Sequence, residues 1–140
     1  NEFLIPALDS EHQVIDPFAP PPFRPELHEE YIIIPPHHFV LGRSVEYVRM
    51  PRDVSGICLG RSTYSRVGTI SHVTPLESGW EGTVTIEISN TLPLPVKVWV
   101  GRGITQVQFF RGDKPPIKDY VAKGGRYNLQ TGVTQGRPGR

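Results

Sequence analysis

The chain has 140 residues, a formal net charge of +1 and a single cysteine. That length supports one domain with its own core and not two ordinary ones. The near-balanced charge gives no overall field for nucleic acid or a membrane surface, and one cysteine excludes an internal disulfide and any cysteine-rich metal site.

Taken in order, residues 2–5 read as a short strand and residues 13–15 as another. Residues 16–26 carry five prolines and read as an extended loop with few backbone donors. Residues 31–34 form an apolar run too short for a helix, so they are expected to be a buried strand, stopped by Pro35-Pro36. Residues 39–50 read as a longer strand, with Gly42 marking a bulge or bend. Pro51-Arg52-Asp53 is a turn, and residues 54–59 are the next strand. Cys58 sits inside that apolar run, where a buried structural thiol is the natural reading; it fits a reducing, cytoplasmic compartment.

After the run Gly60 to Gly68, residues 69–73 read as a strand and residues 74–82 as a loop with Trp80 as its packing anchor. Residues 83–89 alternate strictly: Val84, Ile86 and Ile88 are expected in the core, with Thr85, Glu87 and Ser89 on the opposite face. Leu92-Pro93-Leu94-Pro95 is a connection, residues 96–100 and 104–110 are strands, and residues from 112 on read as an extended polar tail, ordered only against a partner surface. Nothing shows sustained helical periodicity. Many short strands between proline and glycine turns indicate an all-β sandwich, jelly roll or barrel. No apolar stretch is long enough to span a bilayer, and no signal-peptide pattern is present. The chain opens at Asn1 straight into a strand, which reads as a sequence lacking its natural start.

The most informative run is Gly60-Arg61-Ser62-Thr63-Tyr64-Ser65-Arg66-Val67-Gly68. Gly60 can take the positive φ of a sharp turn out of a strand. If 62–66 forms one helical turn, its first N–H groups lack internal partners and, with Arg61, favour an anion. Ser62 and Arg66, four apart, then share a face. The competing reading is a polar turn with solvated arginines. Glu87 is likewise either a solvated residue or, if its face borders this turn, a proton shuttle beside an arginine.

Other chemistries find no support. His37 and His38 are adjacent, so on a strand they face opposite ways and do not chelate one ion. The zinc-deaminase signature, the P-loop, the nucleophile elbow and the dinucleotide fingerprint are absent. Any chemistry must use Glu, Arg, Ser and backbone groups, with any metal carried in by the ligand.

Several spaced motifs then agree in order with one family. The central run, His72-Val73-Thr74-Pro75-Leu76-Glu77-Ser78-Gly79-Trp80-Glu81-Gly82, Thr85-Ile86-Glu87-Ile88-Ser89-Asn90, Leu92-Pro93-Leu94-Pro95, Gly103-Ile104-Thr105-Gln106-Val107 and Arg126-Tyr127-Asn128-Leu129-Gln130-Thr131-Gly132-Val133 closely resemble the dCTP deaminases of the dUTPase-like superfamily. The resemblance implies a distorted β-barrel or jelly roll over 1–111, with residues 112–140 as a tail closing over the nucleotide site. It implies a homotrimer with active sites between subunits, and hydrolysis of dCTP to dUTP and ammonia without zinc. Mg²⁺ would be bound through the triphosphate. Glu87 matches the catalytic glutamate, Arg66 the arginine that polarises around it, and Ser62 the serine of the same motif. Arg61, Ser62 and Thr63 match the phosphate-contacting turn, and the backbone around Val73 and Thr74 the segment reading the cytosine edge. Tyr120, Arg126 and Gln130 match tail residues over sugar and phosphates.

The sequence departs from the family in two places. Glu77-Ser78-Gly79-Trp80 stands where many members have an aspartate before Pro-Gly and an aromatic, in a loop about two residues shorter. This bears on the sugar-contacting role of Glu77. The family's front helix and strand have no counterpart before Asn1. The alternatives left open are a bifunctional dCTP deaminase and dUTP pyrophosphatase, a dUTPase, or an inactive nucleotide-binding barrel.

Overall fold

The computed structural model describes residues 1–7 and 14–137, and the statements below concern these residues. In chain order the elements are β1 (Glu2–Pro6), β2 (Phe23–Leu27), β3 (Tyr31–Ile34), β4 (Phe39–Arg49), β5 (Val54–Gly60), α1 (Ser62–Ser65), β6 (Thr69–His72), β7 (Glu81–Asn90), β8 (Val96–Trp99) and β9 (Thr105–Arg111). The main sheet runs β2-β1-β4-β7-β6, and the pairs β3-β8 and β5-β9 form two further ribbons. The pairings between these strands are antiparallel. The sheets do not close into one, and the whole is a distorted barrel of jelly-roll type.

Strand β7 is the spine. Its period-two pattern puts Val84, Ile86 and Ile88 into a core shared with Phe3, Ile32, Ile34, Val40, Met50, Trp80, Val98 and Ile104. Each such side chain removed from water contributes about 1.5–3 kcal/mol toward offsetting chain entropy. Where β7 ends, Asn90 is almost fully buried and completely used. Its Nδ2 donates to the carbonyls of Ile34 (3.1 Å), Pro35 (3.0 Å) and Leu94 (2.8 Å), and its Oδ1 accepts from Leu92 N–H (3.0 Å). One amide therefore ties the main sheet to the β3-β8 ribbon.

Several local expectations are corrected. Residues 14–15 are not in a strand, and residue 13 lies outside the described residues. The proline loop yields β2, which contains Pro25; β2 is an edge strand, where a missing N–H costs no ladder bond. Strand β3 is buried on one face only: Ile32 and Ile34 point inward, whereas Tyr31 and Ile33 are exposed. The bulge in β4 falls between Arg43 and Tyr47, not at Gly42. There the Ser44 hydroxyl stands in for a strand carbonyl, accepting from Val84 N–H (2.8 Å) while donating to Glu46 O (2.7 Å).

The central run forms a single helical turn, α1, held by buried Tyr64. Gly60 is not among the positive-φ residues. Its smallness matters instead because a Cβ there would meet the Ser65 and Ser71 hydroxyls at 3.1 and 3.3 Å. The positive φ belongs to Gly68 (66°), where the chain leaves α1 and Leu92 packs against the backbone.

The tail from residue 112 is ordered against its own chain. Strand β6 covers only residues 87–90 of β7. Along the uncovered first half of β7 the tail takes its place: Leu129 N–H donates to Glu81 O (2.7 Å) and Thr83 N–H to Gln130 O (2.8 Å). Asn128 Oδ1 accepts from Glu81 N–H, and Gln130 Nε2 donates back to Thr83 O (2.7 Å). A half-edge left by a short β6 is thus satisfied by side chains and backbone of the tail.

Candidate active site

A cavity of about 580 Å³ opens over the polar face of β7. This falls in the size range of small-ligand sites. Its floor is Thr85 and Glu87 of β7 with Leu41 of β4. One wall is the loop Val73, Thr74, Pro75, Leu76 and Glu77, and the tail contributes Tyr120, Tyr127 and Gln130. Pro20, Pro21 and Phe23 complete an apolar side.

Each wall is placed by identifiable bonds. Leu76 exchanges both backbone bonds with Gly56 of β5 (2.8 Å each), which pins the loop. Trp80 is buried, and its indole N–H donates to Tyr127 O (2.8 Å), joining loop to tail. The Tyr120 hydroxyl accepts from Tyr127 N–H (2.9 Å), and Gln130 Nε2 also reaches the Thr85 hydroxyl (3.4 Å). Thr85 Oγ1 in turn accepts from Thr134 N–H (3.2 Å).

Glu87 is the half-buried carboxylate of this floor. Desolvation by its surroundings pushes its pKa above the ordinary carboxylate range, partly countered by a backbone N–H bond and by His72. His72 of β6 is its cross-strand partner, and Leu41 of β4 stands on the other side. A carboxyl raised by burial in an apolar cavity is a stronger base than a surface one.

Of the residues singled out in the sequence, Val73, Thr74, Glu77, Glu87, Tyr120 and Gln130 come together around this cavity. Arg61, Ser62, Thr63 and Arg66 do not line it; all four are exposed on α1 and its ends. Within one chain, Glu87 and Arg66 therefore do not share a cavity. Arg61 is tethered, its N–H donating to Ile104 O (2.9 Å) and its guanidinium to Gly103 O (3.1 Å). Among the described residues, no carboxylate pairs with Arg66. Arg126 is outside the lining as well, donating to Arg137 O (2.9 Å). Sequence reasoning missed Tyr127 and Thr85 as wall residues. Thr85 was readable from its alternation with Glu87, whereas Tyr127 lies in a tail with no periodicity. No cluster of three or more His, Cys, Asp or Glu able to hold a metal occurs among the described residues, and no helix among them is long and apolar enough to cross a membrane.

An all-β domain with a desolvated carboxylate at the floor of a ligand-sized cavity defines a small-molecule site with acid–base capacity. The chain belongs to the dCTP deaminase-like family, whose description matches residues 1–112. It is 53% identical over 123 residues to the dCTP deaminase of Herpetosiphon aurantiacus, covering 86% of this chain and 66% of that protein. It is 52% identical over 123 residues to that of Gemmatimonas aurantiaca, with the same coverage, and 57% identical over 102 residues to that of Acidiphilium cryptum, covering 73% of this chain and 55% of that protein. The chain spans less than two thirds of the length of these curated relatives.

Proposed function

We propose that the protein hydrolyses dCTP to dUTP and ammonia, in pyrimidine deoxynucleotide metabolism in the cytoplasm. The observation that carries this reading is Glu87: a carboxylate made more basic by burial, on the floor of a cavity sized for a pyrimidine nucleoside, in a chain of this family. Cytosine C4 is a weak electrophile, so water must lose a proton as it attacks. Glu87 takes that proton as the oxygen bonds to C4, passes it to ring N3, and delivers water's second proton to the amino group. The C4–N bond then breaks and ammonia leaves. The apolar walls exclude bulk water while this happens.

The backbone around Val73 and Thr74 reads the base edge, and Glu77, Tyr120 and Gln130 hold the sugar and phosphate end. Arg61, Ser62, Thr63 and Arg66 act from a neighbouring subunit of a homotrimer, with Arg126 joining the phosphates as the tail closes. Support for the assembly comes from the surface. The β5-β9 ribbon leaves Ile57, Leu59 and Phe110 exposed on one face and Val107 and Phe109 exposed on the other, apolar side chains of the kind a neighbouring copy can cover. The substrate enters as its Mg²⁺ complex, so excess chelator is expected to weaken nucleotide binding.

Incubation with dCTP and Mg²⁺, with every product identified, tests the reading. Ammonia and dUTP in equal amounts are expected. Pyrophosphate with dUMP would add the second activity, and tight binding without ammonia would contradict turnover.

A further inference from the structure

The loop that carries Glu77 and the tail turn 119–123 are fastened to each other at two points, and the tail turn is tied at a third to the turn after β4. Lys123 Nζ pairs with Glu77 Oε2. Tyr120 N–H donates to Ser78 O (2.9 Å). Asp119, its side chain 13% exposed, pairs with Arg52 Nε (2.9 Å) on the turn after β4 and accepts from Ala122 N–H (2.9 Å). The contact is close throughout: Gly79, at φ 77°, leaves so little room that a Cβ would meet Asp119 at 3.1 Å. Glu77 lines the cavity and Lys123 does not.

From this arrangement we infer that Lys123 is a positioning residue for the nucleotide sugar, acting through Glu77. The inference rests on the function proposed above. One Glu77 oxygen is held by the ammonium, which fixes the carboxylate plane and leaves the other oxygen to accept from a sugar hydroxyl. A glutamate has one more rotatable bond than an aspartate, so its reach gains precision only when something fixes its far end. The Lys123 ammonium supplies that fixed end from the tail. Closing the tail and setting the sugar contact are therefore one event. An exposed pair is weak by itself, but here the Asp119–Arg52 pair and the Tyr120–Ser78 bond already hold the turn in register, so less entropy is lost in making it.

The test compares Lys123→Met and Lys123→Arg with the parent. Binding and turnover of dCTP and CTP are measured, together with amide exchange of Tyr120. Lys123→Met is expected to raise KM for dCTP by about two- to fivefold, the range such a pair supplies, with kcat nearly unchanged. The preference for dCTP over CTP falls by a similar factor, and Lys123→Arg restores it. The reversed pair, Glu77→Lys with Lys123→Glu, is expected to keep Tyr120 protected from exchange without recovering the sugar preference. An unchanged dCTP/CTP ratio in Lys123→Met overturns the inference, as does equal weakening of both nucleotides. If the parent binds dCTP without turning it over, the enzymatic reading fails and binding ratios still judge Lys123. If the parent binds neither nucleotide, both fail.

Discussion

The two halves of the proposed site are built in opposite ways. The Glu87 half is complete within one chain: β7 supplies the floor, the Gly56–Leu76 bridge fixes one wall, and the tail fills the half-edge that β6 leaves. The α1 half is presented outward. Arg61 to Arg66 are exposed apart from Tyr64, which anchors the turn to the core. A base needs desolvation, and burial inside a fold provides it. A cation aimed at a neighbour's ligand needs rigid support and a free head. The buried Tyr64 and the Arg61 bonds to the turn before β9 provide the support. On the proposed function, the difference accounts for a catalytic pair divided between a buried strand and a surface turn.

The comparison is broken most sharply at Glu87. Replacement by Gln keeps the shape and removes the base, so turnover is expected to fall by about 10²–10⁴-fold or more. The same variant gives a stability test of opposite sign. The raised pKa means the folded state holds the proton more tightly than the unfolded chain. Stability from this group is thus full below the ordinary carboxylate pKa and lost as pH rises through the raised one. Glu87→Gln should therefore melt at or above the parent temperature at neutral pH; a clear drop would show that the carboxylate is not held against a burial cost.

Arg66→Ala probes the outward half. Turnover should fall by about 10²-fold or more if the guanidinium stabilises charge at the reaction centre. Its thermal unfolding should match the parent, because Arg66 is exposed. Ordinary turnover would remove Arg66 from the site.

Asn90→Ala sharpens the contrast from the structural side. It strands the Ile34, Pro35 and Leu94 carbonyls and the Leu92 N–H together, at an expected cost of about 2–4 kcal/mol. Denaturant unfolding measures this; a loss below 1 kcal/mol would mean that water replaces the amide.

The smallest effect concerns pH. His72 lowers the Glu87 pKa, so His72→Ala should move the acid limb of kcat/KM upward. A limb that moves downward, or stays, would dissociate His72 from Glu87.

Much of this was legible in the chain, and what was not has physical causes. The alternation of 83–89 gave both the core side and the Glu87 side, because a two-residue period survives any tertiary context. The anchoring role of Trp80 was readable as well, whereas the helical turn at Ser62 was legible only as one of two readings of a glycine-bounded polar run. Strand β2 was hidden because Pro25 argues against a strand until its edge position is known. The β4 bulge was assigned to Gly42 because a serine hydroxyl replacing a carbonyl leaves no local pattern. The course of the tail depends on the length of β6, which is set by pairing and not by tail composition. Separation of Arg66 from the Glu87 cavity was the least legible feature, since motif order along a chain carries no information about which side chains open onto one cavity.

That separation defines the decisive measurement. Glu87→Gln and Arg66→Ala chains, each inactive alone, are co-expressed with different tags, and the mixed assemblies are purified and assayed with dCTP. In a trimer whose sites are shared between neighbours, every mixed assembly keeps one of its three sites with both groups intact, so about one third of parent turnover should return. Mixed assemblies as inactive as either variant would place Glu87 and Arg66 in the same chain's site and contradict the account.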